Sequence, residues 1–435
     1  MKFYSTNNKN SKVSLEQAIF HSLPEDNGLY MPEFIPKCDN IFINSLGTLS
    51  FQEIAYEISK RLLHDEIEDE ILKNIVDDAV NFPAPVIALE KNAYVLELFH
   101  GPSMAFKDFG ARFMGRLMAY FLKNKKKKLN ILVATSGDTG GAVAMGFYDV
   151  PDIRVTILYP SGKVSPVQEK QLTTLGKNIT ALEVDGTFDD CQRLVKQAFL
   201  DKELNEQLNL SSANSINISR LIPQTFYYFN AVAQLRAKSD ERPVIFSVPS
   251  GNFGNLTAGL IAQRMGLPVS HFVASTNIND EVPQYLQSGK FIAYPSKHTL
   301  SNAMDVGNPS NFSRMLDLFD RDADKMSALI SGYSFDDKET LSAIREMFDQ
   351  NNYILCPHTA IAYLGLKEYL KEYPGQNAAG VFLSTAHPCK FPDVYDEDIK
   401  KQIVYPSQAG ELSDKKKSAV LMDNDFGKLK SFLMN

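Results

Sequence analysis

Lys107 is the residue whose setting in this sequence most invites chemistry. It stands in His100-Gly-Pro-Ser-Met-Ala-Phe-Lys107-Asp-Phe-Gly110, between Phe106 and Phe109 and soon after the turn-forming pair Gly101-Pro102. The apolar residues that follow, Phe109, Phe113, Leu117 and Phe121, recur every four positions, which predicts a helix over 108–123. A lysine near the positive end of that helix is poorly placed as an ammonium, which favours its neutral, nucleophilic form. A desolvated neutral amine is what Schiff-base formation with an aldehyde requires. The plain alternative, from this segment alone, is a surface lysine.

Other residues could hold anions. The turn Ser250-Gly-Asn-Phe-Gly-Asn255 leads into a helix predicted over 256–265. Its glycines let the backbone come close to a ligand, and the unpaired N–H groups of a helix start suit a phosphate. A tight strand–helix connection that binds nothing explains the same residues. The spacing G-x-x-G is not a dinucleotide fingerprint. The segment Asn214-Ser-Ile-Asn-Ile-Ser-Arg220 gathers amides, hydroxyls and a guanidinium ahead of a helix predicted over 223–235, and such donors suit a tetrahedral oxyanion. Capping plus a surface arginine is the alternative. Thr135, Ser136 and Thr139, in Thr135-Ser-Gly-Asp-Thr-Gly-Gly141, offer hydroxyl donors that helix capping would also explain.

The elements that would position these groups are strands alternating with helices. Short β-branched runs at 130–135, 154–159, 179–184, 243–248, 271–276 and 379–385 read as strands bounded by Gly, Pro, Ser or Asp. Their alternation with helices predicts an α/β architecture with mostly parallel, buried sheets. Ligands of open parallel sheets sit at the carboxyl ends of strands, where the turns at 135–141, 250–255 and 384–388 fall. Residues 1–90 read as mainly helical after a turn-rich start at 24–36. Ile54, Ile58 and Leu62 share one face of a helix over 51–63. The two prolines of Asn81-Phe-Pro-Ala-Pro85 mark a boundary. Ser334 and Asp337 read as a capping box, and the polar tail from Gln408 reads as loosely held. The division expected is 1–90, then 91–405 with a smaller lobe over about 105–220, then a tail over 406–435.

Bulk properties exclude some classes. A chain of 435 residues needs more than one packed unit. A net charge of −7 argues against a general nucleic-acid binder, while a pocket could still be locally positive. Cys38, Cys191, Cys356 and Cys389 are scattered, with no CxxC pair, so neither a disulfide framework nor a zinc knuckle is expected and the cytoplasm fits. The polar start carries no signal-peptide stretch, and no run approaches the roughly 18 apolar residues of a membrane span. The lysine run at 125–128 reads as a solvated helix end. His100, His358 and His387 lie in or beside motifs without metal-ligand spacing, so hydrogen bonding is expected of them and no metal. Lys163 fits either a positive pocket edge or a plain surface turn.

The segments HGPSMAFKDFG, ATSGDTGGAVA, NSINISR, PSGNFGNLTAG, CPHTA and STAHPCKF, in this order, resemble motifs of the threonine synthase family. The opening MKFYST, with KVSLEQAIFHSLPEDNGLYMPE, resembles that family's N-terminal domain, so the likeness covers essentially the whole chain. The resemblance implies pyridoxal 5'-phosphate enzymes of fold type II: two open, mostly parallel sheets with helices on both faces, plus a mainly helical N-terminal domain. It implies conversion of O-phospho-L-homoserine and water into L-threonine and phosphate by a cytoplasmic monomer or homodimer with no nucleic-acid or membrane partner. Lys107 would then carry the Schiff base and shuttle protons. Gly251, Asn252, Phe253, Gly254 and Asn255 would hold the cofactor phosphate. Thr385 would meet the pyridine nitrogen, and Asp138, at a turn where many relatives of the fold carry Asn, would lie near the phenolic oxygen. Thr135, Ser136, Thr139, Asn214, Ser215 and Arg220 would bind the substrate phosphate. The nearest rivals are a serine or threonine deaminase or a phospholyase of the same fold; a different class would be a silent relative that only binds a phosphorylated metabolite.

Overall fold

The computed structural model describes residues 1–64, 66–123, 125 and 128–435. Two sheets carry the chemistry-bearing turns. The larger runs in the order Ile330–Ser334, Val269–Thr276, Val244–Pro249, Ala379–Ser384, Ala93–Glu97 and Val86–Glu90. All neighbours are parallel except the last pair. The smaller sheet is wholly parallel, in the order Val420–Asp423, Ile179–Asp185, Ile153–Pro160, Leu129–Ala134 and Leu210–Ser211. The central strands Val244–Pro249 and Ala379–Ser384 are buried at every residue, as expected of parallel strands covered on both faces. That is why they read as unbroken apolar runs rather than as alternating ones.

All six strands expected from the sequence are present, with ends displaced by at most two residues. Val86–Glu90, Ala93–Glu97, Ile330–Ser334 and Val420–Asp423 were not foreseen. Each is short or interrupted by charged or polar residues, and takes its place through pairing rather than local propensity. The N-terminal region is helix-rich, with helices Leu15–His21, Asn40–Ser45, Phe51–Leu63 and Asp69–Ala79. It opens, however, on an antiparallel sheet of Asn8–Ser14, Lys2–Ser5 and Tyr30–Pro32. Helix Phe51–Leu63 starts on a capping box of Ser50 and Glu53 and buries Ile54, Ile58 and Leu62. The chain leaves helix Asp69–Ala79 just before the proline segment at 81–85 and enters the larger sheet at Val86.

Two expectations need correcting. The capping box before helix Asp337–Asn351 is formed by Asp336 and Glu339, because Ser334 is the last residue of a strand. The segment after Gln408 is not loosely held. Helix Ser407–Ser413 is followed by strand Val420–Asp423, which pairs in parallel with Ile179–Asp185, and by helix Phe426–Met434, which buries Leu429. The polar composition concealed one apolar stripe. Lys163 is exposed in a turn and does not line the cavity described below. Of the lysine run, Lys125 pairs with Glu16, while Lys126 and Lys127 lie outside the described residues. All four cysteines are free and buried.

Candidate active site

Helix Lys107–Leu122 begins without a side-chain cap, because its start is tied to a neighbouring turn instead. Phe106 N donates to Thr385 O at 2.9 Å and His387 N donates to Met104 O at 3.0 Å, joining Lys107 to the carboxyl end of strand Ala379–Ser384. Phe109, Phe113 and Leu117 bury the inner face of the helix, as the stripe predicted. The Lys107 side chain is 17% exposed and lines a cavity of about 260 Å³. Burial pushes its amine below the ordinary lysine value; Lys390 and Arg220 act in the same direction and Asp138 opposes them.

Asp138 opens helix Asp138–Gly146 at the end of strand Leu129–Ala134. Its Oδ2 lies 3.6 Å from Lys107 Nζ, and its Oδ1 lies 2.7 Å from Lys390 Nζ. Gln168 Nε2 donates to the same Oδ1 at 2.9 Å. Burial would raise the carboxyl, but the ammonium groups outweigh it and hold it well below the usual carboxylate range. His358 Nε2 accepts from Ala303 N at 3.3 Å, while its Nδ1 has no partner among the described residues. Burial pushes its imidazole down to about 4, so it is neutral at ordinary pH. His100 is bonded to Glu97 at 2.7 Å and His387 Nδ1 accepts from Cys389 N at 3.1 Å, both outside the cavity lining.

The turn after strand Val244–Pro249 brings Gly251, Asn252, Phe253, Gly254 and Asn255 to the opposite wall. Phe253 has a φ of 58°, an uncommon left-handed conformation that directs the chain into helix Gly254–Arg264. A Cβ on Gly251 would come within 2.6 Å of Met304 Cα, so only glycine lets the turn pack there. None of the backbone N–H groups of residues 251–255 donates a bond to another described residue. Five donors without a partner among the described residues, at the start of a helix, are suited to hold an anion.

The third wall is the segment 214–220. Asn217 and Ser219 turn inward as caps, with Asn217 Nδ2 donating to Ile19 O and Ser22 Oγ, both at 2.8 Å. Asn214, Ser215 and Arg220 line the cavity. Arg220 is 3% exposed, and among the described residues its side chain makes one bond, from Nη1 to Ala213 O at 2.5 Å, while its Nε has no partner. Burial pushes its guanidinium down to about 10, still a cation at neutral pH. Among the described residues this buried guanidinium forms no ion pair, an arrangement suited to an anion. Thr135 Oγ1 accepts from Gly137 N at 3.0 Å and Gly140 N at 2.8 Å, so it shapes the turn that presents Ser136 and Thr139.

All fourteen residues expected from the sequence line this one cavity. Sequence reading missed Lys390, Gln168 and Arg314. Lys390 sits inside STAHPCKF, and its place in that motif was the only signal. Arg314 gave none; it is buried and donates to Tyr30 O, Ser215 O and Ile216 O, fastening the N-terminal sheet to the 214–220 segment. A more open depression of about 390 Å³ lies around Phe51, Phe82, Asn230 and Gln234. The side chains of Asn230 and Gln234 are held by Ala84 O, which leaves that depression few free donors.

Three family models tile the chain: Threonine synthase N terminus over residues 2–80, Pyridoxal-phosphate dependent enzyme over 81–385, and Threonine synthase, C-terminal over 359–433. The chain is 46% identical over 434 residues to the threonine synthase of Haemophilus influenzae, covering all of both. It superimposes on the crystal structure of threonine synthase from Escherichia coli with a TM-score of 0.91 at 44% identity, covering all of both chains. It also superimposes on pyridoxal-phosphate-bound threonine synthase from Brucella melitensis with a TM-score of 0.92 at 34% identity, covering 100% of this chain and 98% of that one. Among the described residues no helix is long and apolar enough to cross a membrane. A full-length match in both sequence and fold, around a cavity with a desolvated lysine and two sets of anion donors, places this chain in the threonine synthase family of pyridoxal-phosphate-dependent enzymes.

Proposed function

We propose that the protein converts O-phospho-L-homoserine and water into L-threonine and inorganic phosphate, with Lys107 as the amine that carries pyridoxal 5'-phosphate. One observation carries this reading. Lys107 shares a single cavity with two separate sets of anion donors, the unpaired N–H groups of residues 251–255 and the buried, half-satisfied Arg220. Cofactor and substrate each bring a phosphate, and the cavity offers a place for each.

The residues fit the cofactor. The N–H groups of Gly251, Asn252, Phe253, Gly254 and Asn255 would hold its phosphate, and the Thr385 hydroxyl would meet its ring nitrogen. A hydroxyl there, unlike a carboxylate, does not enforce protonation of that nitrogen. Asp138 would lie beside the phenolic oxygen. When bound, pyridoxal 5'-phosphate supplies the electron sink that makes carbon-bound protons of the substrate labile.

The chain's own residues then orient and control. Arg220, with Asn214, Ser215, Thr135, Ser136 and Thr139, would bind the substrate phosphate until its bond to Cγ breaks and water's hydroxyl is added at Cβ. Lys107, whose amine burial pushes below the ordinary lysine value, is suited to move protons among Cα, Cβ and Cγ. Buried neutral His358 cannot compete as a cation for the leaving phosphate. Free buried cysteines support a reducing, cytoplasmic setting.

The purified protein incubated with O-phospho-L-homoserine tests the reading. Threonine and phosphate in equal amounts are expected; 2-ketobutyrate and ammonia as main products would assign it to the deaminating branch of the same fold.

A further inference from the structure

Lys390 has no exposed surface, yet it brings an ammonium into the interior. Its Nζ lies 2.7 Å from Asp138 Oδ1 and donates to Ser103 O at 2.8 Å. Asp138 therefore faces two lysines, since Lys107 Nζ stands 3.6 Å from its other oxygen. One carboxylate neutralises one ammonium. A second ammonium sharing the same carboxylate would be only partly compensated, which is unfavourable for a side chain so largely buried. Lys390 has the shorter contact, a carbonyl acceptor besides, and no route to solvent, whereas Lys107 opens on the cavity.

The other groups around Lys107 do not supply the missing negative charge. Arg220 and His358 approach from helix Ile218–Leu221 and helix Pro357–Glu372, one a cation and the other neutral. Asp108, next along the Lys107 helix, accepts from Ser103 N at 2.9 Å and packs against Gly101, and its charge acts on Lys390, Arg112 and Arg220 rather than on Lys107. Asp305 lines the cavity but is held by Thr299 N, the Thr299 hydroxyl and Asn277 Nδ2.

We propose that Lys390 is a positioning residue: by drawing the Asp138 carboxylate to itself at the shorter distance it weakens the counter-ion that faces Lys107, and so favours the unprotonated Lys107 amine that an aldehyde needs. The inference rests on Lys107 as the reactive amine, a reading that borohydride labelling of the wild-type protein tests separately. Burial acts on Lys107 in the same direction.

The test follows Lys107 itself rather than turnover. The full chain, freed of cofactor, is treated with acetic anhydride across a pH series, and acetylation of Lys107 is read by peptide mass spectrometry. In Lys390→Met, Asp138 turns its whole charge to Lys107, so labelling at about pH 8 falls by about tenfold, the change in free amine for one unit of pKa. Lys390→Arg keeps the cation and the wild-type profile. The pair Lys390→Met with Asp138→Asn removes both charges and restores labelling to the wild-type level or above. An unchanged profile in Lys390→Met, or a fall that the double variant does not reverse, overturns the proposal. If circular dichroism shows Lys390→Met unfolded, Asp138→Asn alone decides: with Lys390 left unbalanced, Lys107 labelling rises above wild type, and no rise overturns the proposal. A Lys107 that follows this pattern yet takes no borohydride label would sink the cofactor reading and leave the charge arrangement standing.

Discussion

Asn252 Nδ2 donates to Ser215 Oγ across 2.5 Å, so one hydrogen bond joins the turn proposed for the cofactor phosphate to the segment proposed for the substrate phosphate. Asn252 Oδ1 also accepts from Ser310 N at 2.6 Å, which fixes the amide in this orientation. The two proposed anion sites are therefore braced against each other rather than independently mounted. Ser215→Ala removes the acceptor, at about 1 kcal/mol or about fivefold in binding. The KM for O-phospho-L-homoserine and the dissociation constant of pyridoxal phosphate should both rise. Steady-state kinetics and a cofactor titration check this, and a change confined to one of the two constants would refute the bracing.

Arg220 acts differently, because it touches only one of the two sites. Arg220→Met should lower kcat/KM for O-phospho-L-homoserine by between about tenfold and about a hundredfold, in keeping with the ~1.5–3 kcal/mol of a charged hydrogen bond. Cofactor affinity, read from the visible absorbance, should stay near wild type. Equal loss of both would show that Arg220 is structural.

Asp108 provides a pH-dependent prediction. It is fully buried, one oxygen has no partner among the described residues, and burial pushes its carboxyl from 3.8 up to about 6, against opposing bonds from Ser103 and the charges of Lys390 and Arg112. Because the folded value lies above the unfolded one, its contribution is intact below the unfolded value and is lost as pH rises through about 6. Above that pH the buried carboxylate destabilises the fold by roughly 3 kcal/mol, at ~1.4 kcal/mol per pKa unit. Asp108→Asn mimics the protonated acid. Thermal melts should therefore show it more stable than wild type at pH well above 6 and no more stable at pH below 3.8; a gain independent of pH would contradict the assignment.

The C-terminal strand and helix make a further prediction about stability. Leu429 is fully buried against the smaller sheet, whereas Leu421, on the paired strand, is 77% exposed. Leu429→Ala should cost about 3 kcal/mol and Leu421→Ala no more than about 0.5 kcal/mol, the usual figures for core and surface truncation. Urea denaturation distinguishes them, and equal effects would mean that the terminal helix is not docked in solution.

The sequence made the site more legible than the frame around it. Lys107, Thr385 and the glycine turn at 251–255 carry local signals: an amine at an apolar helix start, and turns between buried strands and helices. Their convergence on one cavity follows from parallel strands ending on the same side. What stayed hidden depends on partners far away in the chain. Val420–Asp423 is a strand only because Ile179–Asp185 offers it an edge. Arg314 matters only because folding brings Tyr30 O and Ile216 O to it. Lys390 matters only because folding brings its Nζ within 2.7 Å of Asp138 Oδ1. Asp336 rather than Ser334 caps its helix, since the preceding strand extends further than its polar residues suggested.

Borohydride reduction followed by peptide mapping tests the central claim most directly. The yellow protein as purified should become colourless on reduction and carry one phosphopyridoxyl group on the peptide containing Lys107. Lys107→Ala should be colourless from the start, retain the wild-type circular dichroism and take no label. A label on any other lysine, or a wild-type protein that binds no pyridoxal phosphate, would contradict the account.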